Sequence, residues 1–372
     1  MKRSGRRDRT FLRENGSEVK SPGIKDIAKV ALVSIGTVDR ALHARPGISS
    51  GTRARILKIA ERLGYRPNLA ARYLKLSHQR KIAVHLPRDI ASYFDALRAG
   101  VRHAAAQLQP PLEVEFYSYP RIGLGDVESM QTVLDGSCDG LILAPGSLSQ
   151  ITPMIRKATS RGIPVVCVAT DAPDTDRLTV ISSEPFTSGA IVAELLSRSR
   201  KEPTEAAIIT GDLTTFDHYE KARGFRFMLS EIGSPVKLVE VVEAHDEYEE
   251  AYRKTCSLLN RYPKLSGIYV STSNSLPVIK ALEEKGRLGQ MNVVLTDLFP
   301  EIVPLIRTGR IFATLYQRPL TQGRMAYEAL YRFLMEGVRP RPAYRLAPYI
   351  ILRSNIDLFL ENSPGEIRGV SP

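Results

Sequence analysis

The sequence has little of what most catalytic, secreted or membrane proteins need. It holds three cysteines, Cys138, Cys167 and Cys256, odd in number and far apart. That pattern implies no disulfide framework, and nothing in the chain has the spacing of a metal site. Cys138 and Cys167 lie in or beside apolar runs and read as small core residues of a reduced compartment. No apolar run approaches the roughly 18 residues needed to span a bilayer. The basic start, Met1 to Arg9, has no apolar stretch or small-residue cleavage site, so it does not read as a secretory signal. A Gly-x-Ser-x-Gly elbow, a Walker loop, a dinucleotide glycine motif and zinc spacing are all missing, and the six histidines are scattered. These absences point away from an enzyme, a metal and a cofactor.

Acidic residues are scarce at one end only. Residues 1–80 hold 19 Lys and Arg against 6 Asp and Glu, while the remainder holds 33 against 34. All of the excess behind the net charge of +12 therefore sits in the first 80 residues. A compact basic module on a neutral body fits a phosphate-binding partner. At 372 residues the chain is too long for one core and suits two or three domains.

Residues 1–20 read as a disordered basic tail. Pro22-Gly23 precedes a first helix from Ile24 to Val30. Ala31-Leu32-Val33 makes a turn, Ser34 is a good N-cap, and a second helix runs to about Leu42. His43 to Gly47 is a loop. Ser49 caps a third helix whose Ile56, Ile59, Ala60 and Leu63 share one face, and Gly64 ends it as a C′ glycine. Two short helices and a tight turn are a helix-turn-helix, which lays its second helix in the major groove. The small-residue stretch after Pro67 suits a minor-groove element. Beyond Lys81 the pattern changes to short apolar strands: Ile82–Leu86, Glu113–Tyr117, Gly140–Ala144, Pro164–Val168, Ala206–Thr210, Lys237–Val241, Gly267–Val270 and Asn292–Leu295. Amphipathic helices such as Tyr93–Leu108 and Tyr219–Ile232 lie between them. This alternation predicts two doubly wound parallel-sheet subdomains, with ligands beyond the carboxyl ends of the strands.

Three motifs occur in order: Ile24-Lys25-Asp26-Ile27-Ala28, Val33-Ser34…Thr37-Val38, and Gly64-Tyr65…Pro67-Asn68. With them the chain resembles the lactose-repressor (LacI/GalR) family of bacterial transcription regulators, from about Ile24 to Asn355. The resemblance implies an all-α helix-turn-helix domain and hinge helix joined to an α/β effector domain like the type I periplasmic sugar-binding proteins. The expected limits are a helix-turn-helix domain at 21–66, a hinge helix and linker at 67–81, an effector and dimerisation domain at 82–361, and a tail at 362–372. Within the effector domain, one subdomain takes about 82–203 and 318–343, the other about 204–317 and 344–361.

The resemblance also assigns residues. Ile35, Gly36 and Arg40 stand where the family reads base edges. Arg40 can pair bidentately with guanine, whereas Ile35 offers only apolar contact and Gly36 only backbone. Thr37 shares this helix and is included among the contacts. Ser34, His43, Ser49, Tyr65 and Asn68 match phosphate-binding positions, which set register without reading sequence. Asp39 departs from the family, where a small hydroxyl is common; it either accepts from a cytosine N4 or pairs with Arg40 or Lys25. The stretch from Asn68 through Ala71 to Leu74 is too short to hold as a helix alone. The resemblance implies that it folds on DNA beside the same helix of a second subunit, with Leu74 wedged into a base step and Lys75 at the groove edge.

For the effector, Phe94 and Asp95 suit a sugar, the ring for C–H faces and the acid for hydroxyls. Thr170, Asp171, His218, Ser273, Asn274, Asp297 and Gln317 lie at strand-to-helix junctions. Lys221, before Gly224-Phe225, stands where most relatives have Arg, and a point charge in place of a planar fork disfavours an acidic ligand. The expected function is a cytoplasmic repressor. It binds a palindromic operator as a homodimer and answers to a neutral sugar or polyol, with no membrane partner. Whether the ligand releases or recruits DNA stays open, and the rivals are an activator or a regulator that answers to a partner protein. A periplasmic solute-binding protein is disfavoured by the basic helical module, and an enzyme by the missing motifs.

Overall fold

The computed structural model describes residues 22–42, 46–65, 80–199 and 202–362. The chain divides into two units between residues 75 and 76. The first holds α1 (Ile24–Ala31), α2 (Ile35–Leu42) and α3 (Ser50–Arg62). Their apolar faces bury Ile27, Ala31, Val38, Ala41 and Ile56 together. Capping explains the boundaries. Ser34 Oγ accepts from Thr37 N at 3.1 Å and Ser49 Oγ from Thr52 N at 3.2 Å. Gly64, at φ 64°, closes α3 with Gly64 N donating to Glu61 O and Tyr65 N to Ala60 O, the paired bonds of a Schellman turn. Arg55 Nη2 donates to Ala31 O at 3.2 Å, placing a cation on the carbonyl end of α1.

The second unit is a pair of α/β lobes. In chain order it runs β1 (Lys81–Pro87), α4 (Ala91–Gln107), β2 (Glu113–Tyr119), α5 (Asp126–Asp135), β3 (Gly140–Leu143), α6 (Leu148–Ser160), β4 (Val165–Val168), β5 (Thr179–Ser183) and α7 (Pro185–Arg198). It continues β6 (Thr204–Thr210), α8 (Phe216–Glu231), β7 (Val236–Glu243), α9 (Tyr248–Arg261), β8 (Leu265–Val270), α10 (Leu276–Glu284), β9 (Asn292–Thr296), α11 (Val303–Arg307) and β10 (Ala313–Tyr316). Last come α12 (Pro319–Tyr331), β11 (Ala343–Leu346), β12 (Tyr349–Ile351) and α13 (Ile356–Asn362).

Two six-stranded sheets result, ordered β11-β5-β4-β3-β1-β2 and β12-β10-β9-β8-β6-β7. All pairs are parallel except β10 with β12. The central strands are buried along most of their length, as parallel strands between helices must be. Cys167 lies in this core, where burial pushes its thiol up to about 12.

The eight strands expected from the sequence are all present, and β5, β10, β11 and β12 are additional. Two subdomain limits move. Val192, Ala193 and Leu196 of α7 pack with Ile208 and Phe225 of the second lobe, so the first crossing lies at Glu184 rather than after residue 203. β11 pairs with β5 in the first sheet, so the last crossing follows Leu346 rather than residue 343. The middle crossing lies between β10 and α12, at Gln317-Arg318.

The helices after β5 and β10 each cross to the opposite lobe, and there they pack backbone to backbone. A Cβ on Gly224 would stand 1.9 Å from Phe186 O and one on Gly189 1.9 Å from Lys221 O; Gly100 and Gly323 meet Leu320 O and Leu97 O at 2.0 Å. Only glycine permits approaches this close. They fix α4 and α8 at the cleft.

Candidate DNA-binding surface and effector cleft

In the first unit, Ser34, Ile35, Gly36 and Arg40 are exposed on α2, with Ile35 at 50%, while Val38 and Ala41 are buried. The helix therefore turns one face to its own core and the opposite face outward. Nothing but Ser34 Oγ, at 3.8 Å, lies within 4 Å of a Cβ built on Gly36, so the fold itself makes no demand for glycine there. Ser34 and Thr37 hydroxyls bond each other at 2.9 Å, as do Ser49 and Thr52. Tyr65 packs half-buried on the three-helix core. Burial raises its phenol pKa, and the Asp39 carboxylate raises it further. His43, Asn68, Ala71, Leu74 and Lys75 lie outside the described residues, and with them the expected hinge helix and wedge.

In the second unit, a cleft partly open to solvent lies at the carboxyl ends of the strands. Phe94, Thr170, His218, Lys221, Ser273 and Gln317 line it. Its further lining includes Tyr93, Thr215, Asp217, Asp246 and Thr272, which the sequence reading missed. Asp217 had a signal: it sits one helical turn before Lys221, at the spacing of an ion pair.

Lys221 organises the second-lobe wall. Its ammonium, almost fully buried, reaches Asp217 Oδ2 at 2.7 Å, Ser271 O at 3.0 Å and Gln317 Oε1 at 3.0 Å. An ammonium has three donors, and all three are taken. Burial, the largest single influence, lowers its pKa, but the Asp217 charge and hydrogen bond together with Tyr269 and Asp297 outweigh it and the net shift is upward. Asp217 Oδ1 and Thr215 Oγ1 are buried and find no partner among the described residues. His218 Nδ1 lies 3.1 Å from Asp212 N and 3.2 Å from Asp212 O, so it accepts from the one or donates to the other according to its tautomer.

Asp297 stands behind this wall rather than on it. It accepts from Ser273 Oγ, from Gln317 N at 2.9 Å and from Gln317 Nε2 at 2.8 Å. Burial pushes its carboxyl pKa up against the pull of those bonds. Its role in this geometry is to hold Ser273 and Gln317. Gln322 joins the lobes: Oε1 accepts from Tyr93 Oη at 3.2 Å and Ala169 N at 3.1 Å, and Nε2 donates to Gln317 O at 2.8 Å. Asp217 N donates across the cleft to Thr170 Oγ1 at 3.2 Å.

Three more expected cleft residues lie elsewhere. Asp171 is buried and saturated by Arg177, by Arg345 at 2.6 Å and by Ala172 N at 2.7 Å. It ties β11 to the end of β4 and has no oxygen left for a ligand. Asp95 is 57% exposed and pairs with Arg98 at 3.0 Å, on the solvent side of α4. Asn274 lines an adjoining chamber instead.

Backbone strain gathers here. Ile90, Ala169, His245, Asp246, Asp297 and Arg318 adopt left-handed φ values of 46° to 66° without being glycine. Each lines the cleft or adjoins a residue that does, and such strain, about 1–3 kcal/mol per residue, persists where geometry serves a site. Among the described residues no cluster of His, Cys, Asp or Glu could hold a metal, and no helix is long and apolar enough to cross a membrane.

Comparison with known proteins agrees with both units. Residues 23–68 match the model of bacterial regulatory proteins of the lacI family, and residues 82–337 match a periplasmic binding protein domain. Catabolite control protein A of Priestia megaterium is 26% identical over 266 residues, covering 71% of this chain and 78% of that protein. The ribose operon repressor of Haemophilus influenzae is 24% identical over 343 residues, covering 90% and 98%. Among solved structures, the glucose-galactose binding protein GanP of Geobacillus stearothermophilus superposes with a TM-score of 0.69 at 22% identity, over 75% of this chain and 99% of its own. The chain belongs to the lacI family of bacterial regulatory proteins, a helix-turn-helix domain joined to a periplasmic binding protein domain.

Proposed function

We infer that this chain is a DNA-binding transcription repressor whose operator affinity is set by a small uncharged, hydroxyl-rich molecule, a sugar or polyol, held between the lobes. One observation carries the ligand class. Lys221 has spent every donor on the protein, while Asp217 Oδ1 and Thr215 Oγ1 remain buried and without a partner among the described residues. Among the described residues that line the inner cleft, an anionic ligand would find no cation with a donor to spare. Hydroxyls would donate to Asp217 and Thr215, and the Phe94 ring would cover a C–H face. Asp217, Thr215, Phe94, Thr170, His218, Ser273 and Gln317 are the candidate contacts. Lys221 and Asp297 serve as positioning residues.

Ser34, Ile35, Gly36, Thr37, Arg40 and Ser49 are the candidate DNA contacts, with Arg40 reading a base. Each chain carries one recognition helix, so a homodimer reading a palindrome is the natural assembly. The related catabolite control protein and ribose operon repressor support repression rather than turnover, and operator binding implies a cytoplasmic location. A ligand that touches both lobes favours the closed cleft, and by linkage whatever it does to operator affinity DNA does to its own.

The test is a gel shift of the full chain on a selected operator, titrated with neutral sugars and their phosphates. A neutral sugar is expected to change operator affinity where its phosphate does not; the reverse order would overturn the ligand class. Arg40→Ala is expected to cost about 1–3 kcal/mol on that operator and to relax preference at one position per half-site. Unchanged selectivity would remove Arg40 from base reading.

A further inference from the structure

A second chamber adjoins the first. It is larger than the inner one and, like it, partly open to solvent. Both have Ile90, Asp246 and Ser273 in their walls, so they are two parts of one cleft. Ile90 and Asp246, at that junction, are both held in left-handed backbone.

The start of α10 lines the outer chamber. Ser275 stands at the N-cap of this helix, where a serine ordinarily accepts from the first turn, yet its hydroxyl caps nothing. It is fully buried, it lines the chamber, and its Oγ has no partner among the described residues. Asn274, beside it, likewise keeps Nδ2 buried and unpaired. The fold has thus left a hydroxyl and an amide idle at one spot, out of water, where unpaired polar groups are costly. The charge of the wall restricts what completes them. Asp89, Asp246, Glu247 and Glu301 face the chamber against Arg121. Phosphate and carboxylate are therefore repelled.

We propose that the outer chamber is a second sugar subsite, so that the effector is a neutral disaccharide or longer oligosaccharide. One ring lies in the inner chamber and the next lies over Ser275 and Asn274, with Ile90 against the linkage. This rests on the reading of the inner cleft as a sugar site.

The experiment is calorimetry on the full chain with matched pairs: glucose with maltose and cellobiose, galactose with melibiose, and xylose with xylobiose. In the pair that binds, the disaccharide is expected to bind at least about tenfold more tightly than its monosaccharide. Ser275→Ala is expected to erase most of that difference and leave monosaccharide affinity unchanged. Because the Ser275 hydroxyl bonds nothing among the described residues, the unliganded variant should melt with the parent. Equal affinity for both members of a pair, or a Ser275→Ala variant that retains the full difference, overturns the second subsite and leaves the sugar reading intact. Binding by no sugar of either size overturns both.

Discussion

α4 in the first lobe and α8 in the second each follow the first strand of a sheet, and each meets a helix from across the hinge at a glycine, Gly100 and Gly224. Counted back from those glycines at equal spacing, Tyr93 matches Asp217, Phe94 matches His218 and Leu97 matches Lys221. All six are buried. Equal helical phase brings equivalent positions to the same place in each lobe. The chemistry is opposite. The first lobe presents Tyr93, Phe94, Ile90 and Ile122, with Thr170 as its polar group; the second presents Asp217, His218, Lys221, Asp246 and Ser273. One frame, duplicated, has become an apolar wall and a hydrogen-bonding wall. A ligand with C–H faces and hydroxyls needs both, and so has reason to close the cleft.

The largest expected effect comes from copying the first lobe into the second. Lys221→Leu installs the counterpart of Leu97 and strands the Asp217 carboxylate, Gln317 Oε1 and Ser271 O. Removing one member of a buried pair costs about 3–5 kcal/mol, readable by urea denaturation. Replacing Asp217 by Leu as well should recover most of that loss. If Lys221→Leu alone cost under about 1 kcal/mol, the second-lobe wall would not be the paired network described here.

A somewhat smaller effect separates the lobes by pH. In the second-lobe wall the charged groups are held by partners, Lys221 by Asp217 and Asp297 by Ser273 and Gln317, whereas His85 of the first lobe is buried against Tyr119, ring centroids 4.5 Å apart, with neither nitrogen partnered among the described residues. Burial lowers its pKa from 6.5 to about 4. Between those values the unfolded chain takes up a proton at His85 and the folded chain does not. Stability is therefore lost as pH falls from 6.5 to about 4, by roughly 3 kcal/mol from this group. Asp126, raised by burial, acts in the opposite sense, because the folded state takes up its proton first on acidification. Comparing the parent with His85→Phe isolates the imidazole. An acid profile unchanged by that substitution would place the lability elsewhere.

The same contrast governs how much was legible in the sequence. Local devices could be read: the Ser34 and Ser49 caps, the Gly64 ending and eight apolar strands all rest on neighbours a few residues apart. β5 and β10 were missed because each leads into a crossing, where the next helix belongs to the other lobe. At the cleft, Phe94, Thr170, His218, Lys221, Ser273 and Gln317 could be read from their places at strand ends. Asp171 could not, because Arg345, which helps to saturate it, comes from a distant strand. Thr215 and Asp246 lie on loops that only the packed lobes bring together.

The smallest effect tests helical phase itself. Asp95 stands at the spacing before Gly100 that Tyr219 holds before Gly224, and both side chains are more than half exposed. By this equivalence Asp95 belongs to the solvent face, although a carboxylate beside Phe94 looks like a sugar ligand. Its pairing with Arg98 is a half-exposed ion pair, and Asp95→Asn should change stability by about 1 kcal/mol or less and leave effector affinity within about twofold. Asp217→Asn, which keeps the shape and removes the charge, should weaken the effector by about 1.5–3 kcal/mol, the range for a hydrogen bond to a charged group. Calorimetry on the two variants side by side decides the matter. Equal losses would mean that the first lobe also reads hydroxyls with a carboxylate, and the division of the cleft into an apolar and a polar wall would fall.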